Sequence, residues 1–218
     1  MKSINWKYAM GEILIVIIGI TIAFSMNTCA EQTKEKKQRL QYLTNLRNDV
    51  EADKSQLKKV TQELEEKLES CNRIIPKLNT DDKEKMTVVQ DIFKVAEISN
   101  FSSKDITYRT LINSGDLKLI EEFELKKAIE SHYSSYDIMR QDYIRQENIH
   151  KEYLGPYFVH EVDYDAFRNG VFGFKNEQLL KNIVQSMRGS FQIKLNATEK
   201  GIQSCDSLLV LLDEYLAD

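Results

Sequence analysis

Proline and glycine are scarce: of 218 residues, 2 are proline and 8 are glycine. Sandwiches and barrels of short strands need frequent tight turns. The shortage therefore points away from all-β folds and toward long helices. Cysteine is also rare, with 3 in the chain, too few for a disulfide framework. Cys71 and Cys205 leave two readings: one bridge if the domain lies outside the cytoplasm, or two free, half-buried thiols on helices. The 3 histidines, His132, His150 and His160, are scattered, so the clustered ligand spacing that zinc requires is missing. No basic stripe exists either. The net charge is −4 and the two signs are interleaved, which argues against binding a phosphate backbone.

Catalytic signatures are missing in the same way. There is no Gly-x-Ser-x-Gly nucleophile turn and no glycine loop to cradle phosphate. Ser114-Gly115 reads better as a helix end. The stretch around His160-Glu161 lacks the second histidine of a metalloprotease helix. Asp163, Asp165 and Asn169 hint at calcium, but no glycine and distal glutamate fall in the required register. The expectation is no catalytic residue, no cofactor and no metal.

What the chain does have is one long apolar run. Residues 13–26 carry no charge, and extending back to Tyr8 adds a single acid, Glu12. The nineteen residues from 8 to 26 would form a helix of about 28 Å, against a hydrocarbon core of roughly 30 Å. Trp6 and Tyr8 stand at its start, where amphipathic rings favour the lipid interface. No face of residues 13–26 is polar, which disfavours a surface helix of a soluble protein. A cleaved signal peptide usually has a shorter apolar core and a small-x-small cleavage site. A lipoprotein signal would place a small residue just before Cys29, where Thr28 stands. An uncleaved membrane anchor fits best.

Glu12, Gly19 and Ala23 share one helical face at spacings of seven and four. Gly19 and Ala23 are a small-xxx-small pair that permits close approach of a second membrane helix. Glu12 reads either as a paired acid within that contact or as a carboxylate reaching the headgroups. Lys2 and Lys7 lie on one side of the run, and Lys34, Lys36, Lys37 and Arg39 on the other. The positive-inside count leans slightly toward a cytoplasmic domain.

Beyond the run the pattern is helical. Leu43, Val50, Leu57, Leu64 and Cys71 recur every seven residues, with Leu46, Val60, Leu68 and Ile74 in a second row. Asp53 and Lys67 interrupt that row. The heptad suits a coiled-coil dimer or, preferably given the interruptions, one helix of an intramolecular bundle. Pro76 ends this helix, which covers about residues 34–75 and has room to continue directly from the anchor as a stalk. A helix follows the caps at residues 79–82 and runs to Ala96. Residues 100–104 read as a loop and 105–113 as a short helix closed by Gly115. Residues 122–153 form a long helix with an aromatic stripe including Tyr133, Tyr136 and Tyr143, ended by Gly155-Pro156. Residues 157–174 are irregular, and two final helices cover about 176–187 and 190–216. The tyrosine stripe reads as bundle packing or as the wall of a ligand pocket.

The run from Tyr8 through Gly11-Glu12 and Ile18-Gly19-Ile20 to Ile22-Ala23 resembles the opening of a Bacteroidota family of membrane proteins of unknown function. Those proteins continue with Asn-Asn-Trp-Asn-Glu. Here residues 26–31 read Met-Asn-Thr-Cys-Ala-Glu, with Cys29 in the tryptophan position. A second similar stretch is Thr107-Tyr108, Leu111, Ser114-Gly115 and Leu117. The resemblance implies a bacterial single-pass protein whose helical domain faces outward, and it implies no activity.

The expected organisation is all-α: a short tail (1–8), a transmembrane helix (9–28), and a stalk helix leading into an antiparallel bundle (29–218). The expected role is a membrane-anchored interaction, scaffold or sensing module. A small-ligand-binding sensor-like bundle and an unrecognised enzyme are the alternatives. The expected partners are the lipid bilayer and either a second copy or another membrane protein.

Overall fold

A computed structural model describes residues 6–217 of the chain. The tail residues 1–5, including Lys2, lie outside the described residues. The fold is all-α. Helix α1 runs unbroken over Trp6–Lys77, 72 residues, and joins the apolar segment to the bundle with no hinge. At 1.5 Å per residue it is about 108 Å long. Pro76 falls within its last turn, and Asn79 in the left-handed region (φ 65°) turns the chain back.

A descending, segmented column follows: α2 (Asp82–Met86), α3 (Val89–Ala96), α4 (Ile106–Ser114) and a 3-10 turn (Asp116–Leu119). The single helix expected up to Ala96 is split at Thr87 and Val88, whose N–H groups donate three residues back, to Glu84 O and Lys85 O (3.2 Å each), in a turn between α2 and α3. Gly115, at φ 74°, closes α4. Helix α5 (Phe123–Ile149) ascends, and α8 (Glu177–Ala217) descends as one helix of 41 residues.

Two expected boundaries fail. Gly155-Pro156 does not stop the chain. A π turn (His150–Leu154) follows α5, and α6 (Gly155–His160) continues with Pro156 in its first turn, where no N–H is needed. The expected break near Gly189 is also absent, and the Ser190 hydroxyl donates to Met187 O within the continuous helix. The irregular region contains α7 (Tyr164–Arg168) and one isolated β-bridge, Val162 with Phe174.

Side-chain pairs set the topology. Arg47 meets Asp213, Lys54 meets Asp206, and Asn79 N–H meets Glu177. Numbers rise on α1 as they fall on α8, so the two are antiparallel. Asp91 bonds Arg73, Lys94 bonds Glu66, Thr107 bonds Asp49, and Asp116 bonds Tyr42. The segmented column therefore descends along α1. The result is an up-down-up-down four-helix bundle whose second helix is in pieces.

The heptad rows of α1 (Leu43, Leu46, Val50, Leu57, Val60, Leu64, Cys71, Ile74) are buried inside the chain. Their partner on α8 is the seam Met187, Phe191, Lys194, Thr198, Gly201, Cys205, Leu208 and Leu212, spaced alternately four and three. Gly201 brings the helices close: a Cβ there would lie 3.2 Å from Met139 Sδ and 3.3 Å from Leu57 Cδ1. Gly201→Ile is therefore expected to overpack this point and lose about 1–3 kcal/mol. A urea melt followed by circular dichroism measures it, and an unchanged midpoint would contradict the close contact.

Cys71 and Cys205 are both buried and both free. Asp206, beside Cys205, pairs with Lys54, so Cys71 is seventeen residues further along α1. That is about 25 Å of helix, far beyond the roughly 7 Å that a disulfide spans between Cα atoms. The bridge reading is corrected accordingly.

Candidate functional site: the break in the second helix

A helix that stops within a bundle leaves backbone groups outside its ladder, and those that are buried need a partner. The second column stops at Ala96 and resumes at Ile106. Between them residues 97–105 form a strap at mid-height of the bundle. Polar side chains from the other three columns satisfy it. Lys67 Nζ on α1 donates to Glu97 O (2.6 Å) and Ser99 Oγ (2.9 Å). Lys194 Nζ on α8 donates to Ser99 O and to Gln146 Oε1 (2.7 Å). His150 Nε2 donates to Ala96 O (2.9 Å). On the other side of the break, Lys104 N–H donates to Asp53 Oδ1 (2.8 Å) and the Thr107 hydroxyl donates to Asp49 (2.5 Å).

The charges follow the helix dipoles. The ammonium groups of Lys67 and Lys194 meet carbonyls just past the C-terminal, partially negative end of α3. The carboxylates of Asp53 and Asp49 meet the N-terminal, partially positive end of α4. The interruptions at Asp53 and Lys67 in the sequence are thus the α1 half of this clamp. Lys194, Gln146 and Ser99 were not singled out from sequence. The available signal was a lysine on an otherwise apolar and small seam, one turn from both Phe191 and Thr198.

Burial acts on these groups in opposite directions. Lys194 is fully buried, which pulls its ammonium down to about 8, partly countered by Glu147. Its ammonium also lies 4.0 Å from the centroid of the Tyr143 ring, a cation–π contact. Lys67 is pulled down for the same reason. Asp53 is pushed up to about 6 by burial, with the Lys104 N–H opposing. Its Oδ2 has no hydrogen-bond partner.

Below the strap lies a small polar cluster. His132 Nδ1 is 2.8 Å from Ser204 Oγ, and Tyr136 OH is 3.3 Å from Cys205 Sγ. Burial lowers His132 to about 4 and raises Cys205 to about 11. A base so weak and a thiol so strongly protonated are poor catalytic groups. Ser204 and Cys205 lie in the middle of α8, where backbone N–H groups are already bonded and build no oxyanion cradle. The cluster is packing with satisfied hydroxyls, not a nucleophilic dyad. Among the described residues no group of three or more His, Cys, Asp or Glu side chains is arranged to hold a metal. Asp163 caps α7 by accepting from Asp165 and Ala166 N–H.

Glu12, Gly19 and Ala23 lie on one exposed face of α1, and a Cβ at Gly19 would meet nothing within 4 Å. They are far from the strap and share only the helix with it. Residues 10–26 are exposed throughout, with Ile15 at 72% and Phe24 at 70%. Among the described residues one helix is long and apolar enough to cross a membrane.

The chain is therefore an all-α protein in which one such helix continues into a bundle. It belongs to a family of unknown function, DUF6090, whose sequence profile matches residues 12–151. The match runs from the apolar segment through α5 and includes the strap. No curated protein and no solved structure matches the chain.

Proposed function

We propose that the chain is a single-pass, non-catalytic membrane module whose bundle senses or binds outside the cytoplasm. One observation carries this reading. The apolar, fully exposed residues 10–26 and the buried heptad of the bundle lie on the same unbroken helix. Leaving so many large aliphatic side chains in water is unfavourable by about 1.5–3 kcal/mol each compared with burial, and lipid removes that penalty. Between the apolar run and the side-chain hydrogen bond of Gln38 to Asp116 (3.0 Å), residues 27–37 form about 17 Å of mostly exposed helix. A change in the bundle core therefore has a stiff route to the bilayer. The clamped strap favours sensing over a passive scaffold, because α1 supplies half of its anchors.

Carbonate washing of membranes is the test. The full-length chain stays with the vesicles, whereas recovery in the supernatant would defeat the reading. A double substitution, Val16→Arg with Ile18→Arg, should weaken insertion by about 5–7 kcal/mol on the translocon scale and release the chain. Cys29 reports orientation: it is exposed just beyond the apolar run, while Cys71 and Cys205 are buried. An impermeant maleimide applied to intact spheroplasts is expected to label Cys29 alone. Labelling only after lysis would place the bundle in the cytoplasm. The Glu12, Gly19 and Ala23 face is proposed as the contact for a second membrane helix. Crosslinking in membranes that yields monomer only would remove it.

A further inference from the structure

Column two does not close evenly against α5. Helix α4 lies on α1 and meets α5 at the stacked rings of Tyr108 and Tyr133, 4.3 Å apart. Above that stack, between the strap and α5, a cleft of 530 Å³ opens. It joins a smaller hollow of 250 Å³ through shared residues including Tyr136 and Asp137. This size suits a small molecule.

The lining is mixed: Asn100, Ser102 and Ser103 share it with three aromatic rings, two of which are tyrosines. Tyr136 OH is turned inward to Cys205, and Tyr143 OH to Thr198 (2.6 Å). Their hydroxyls are thus committed to the core, and only a narrow edge of each buried ring reaches the cleft. Phe101 of the strap adds a third ring, edge-on to Tyr136 at 5.1 Å. The charged groups at the rim are of two kinds. Arg109 is occupied by Asp105 at 2.7 Å. Asp137, Arg140 and Glu147 line the same cleft, are exposed, and take part in no ion pair. Their spacings of three and seven put them on one face of α5, so acid, guanidinium and acid follow one another along the rim.

We propose that this cleft binds a small zwitterion with an apolar body. Its ammonium group faces Asp137 or Glu147, its carboxylate faces Arg140, and its body rests on Phe101, Tyr136 and Tyr143. A purely cationic ligand would leave Arg140 unanswered, and a purely anionic one would leave both acids facing its charge. The proposal rests on the reading of the bundle as a sensing module, and it names what is sensed. The strap forms one side of the cleft and is bonded to α1 through Lys67 and Asp53, so an occupant would press on the helix that carries the apolar segment.

Titration calorimetry on the full-length chain in lipid nanodiscs tests this with three probes of one skeleton: phenylalanine, phenethylammonium and 3-phenylpropionate. Saturable binding of phenylalanine is expected, at least about tenfold tighter than either half-charged probe. The variants Arg140→Gln and Asp137→Asn/Glu147→Gln change only exposed side chains and should keep full helical circular dichroism. Each should weaken phenylalanine at least about tenfold. Absence of saturable phenylalanine binding, equal binding of a half-charged probe, or variants that bind as the parent does would each overturn the proposal. If the chain incorporates into nanodiscs and still fails, only the ligand assignment falls. If it never associates with lipid, the anchored-module reading falls instead.

Discussion

Lys194→Ala is expected to destabilise the bundle by about 3 kcal/mol, the larger of two effects that the strap clamp allows to be separated. The lysine is fully buried and holds Ser99 O and Gln146 Oε1. Removing it orphans two buried acceptors at about 1–3 kcal/mol each and leaves a void where its stem packed. Against this, the unfavourable burial of an ammonium ion disappears. Lys194→Met separates the contributions, because it keeps the stem and loses only the charge and the donors. Its expected cost is nearer 1–2 kcal/mol. The pH dependence provides an independent check. The folded lysine titrates at about 8 against 10.5 in an unfolded chain. Between those values the unfolded state binds more protons, so stability rises with pH by up to about 3 kcal/mol. The buried tyrosines Tyr133, Tyr136 and Tyr157, raised by burial, reverse the trend once free tyrosine ionises near pH 10. Buried Cys71 and Cys205, raised to about 12 and about 11 from 9.0, add a falling contribution from about pH 8.5 upward in both proteins. Urea midpoints between pH 8 and 9.5 should therefore fall more steeply in Lys194→Met than in the parent. Parallel profiles in the two proteins would mean that Lys194 is not the titrating group.

The same clamp marks the boundary of what the sequence could reveal. Leu43, Val50, Leu57 and Leu64 announced α1 because a seven-residue apolar period has one cheap solution, a helix with one buried face. Gly115 was readable because a left-handed helix end favours glycine. Gly155-Pro156 misled: the prohibition on proline in a helix concerns its missing N–H, and a π turn ahead of it moves that position into a first turn where none is required. The expected break between residues 187 and 190 is absent because the lone Gly189 there costs a helix only about 1 kcal/mol, which the buried residues before and after it on α8 outweigh. The strap was half legible. Residues 100–104 lacked periodicity, and Asp53 and Lys67 stood out as faults in a row. Periodicity does not say which distant backbone a buried lysine will meet, so the pairing of Lys67 with Lys194 across Ser99 needed three dimensions.

An interrupted helix inside a bundle has a cost in backbone groups, and this chain meets it largely with ionisable side chains where neutral amides and hydroxyls would also serve. Ionisable anchors make the strap's hold depend on protonation, on both sides of the break. α3 is held through ammonium groups, α4 through carboxylates, and α1 contributes to both, with Lys67 on one side and Asp53 and Asp49 on the other.

Acidification should expose this arrangement through two variants more clearly than through the parent protein. His132 titrates at about 4 in the fold against 6.5 unfolded. Between those values the unfolded state binds more protons, so stability falls as pH falls. Asp53 titrates at about 6 against 3.8 unfolded. There the folded state binds more protons, so stability grows as pH falls through the same window. Each contribution amounts to about 3 kcal/mol when complete, and between pH 4 and 6 their slopes oppose. Asp53→Asn keeps an acceptor for the Lys104 N–H while removing the buried charge. It is expected to be about 2 kcal/mol more stable than the parent at pH 7 and to lose stability more steeply below pH 6. His132→Gln should do the reverse and gain stability on acidification from pH 6 to 4. Urea midpoints at pH 7, 6, 5 and 4 decide it. If Asp53→Asn and the parent differ by the same amount at every pH, the carboxylate is ionised throughout, and the orphaned Oδ2 has a solvent partner that removes the burial penalty.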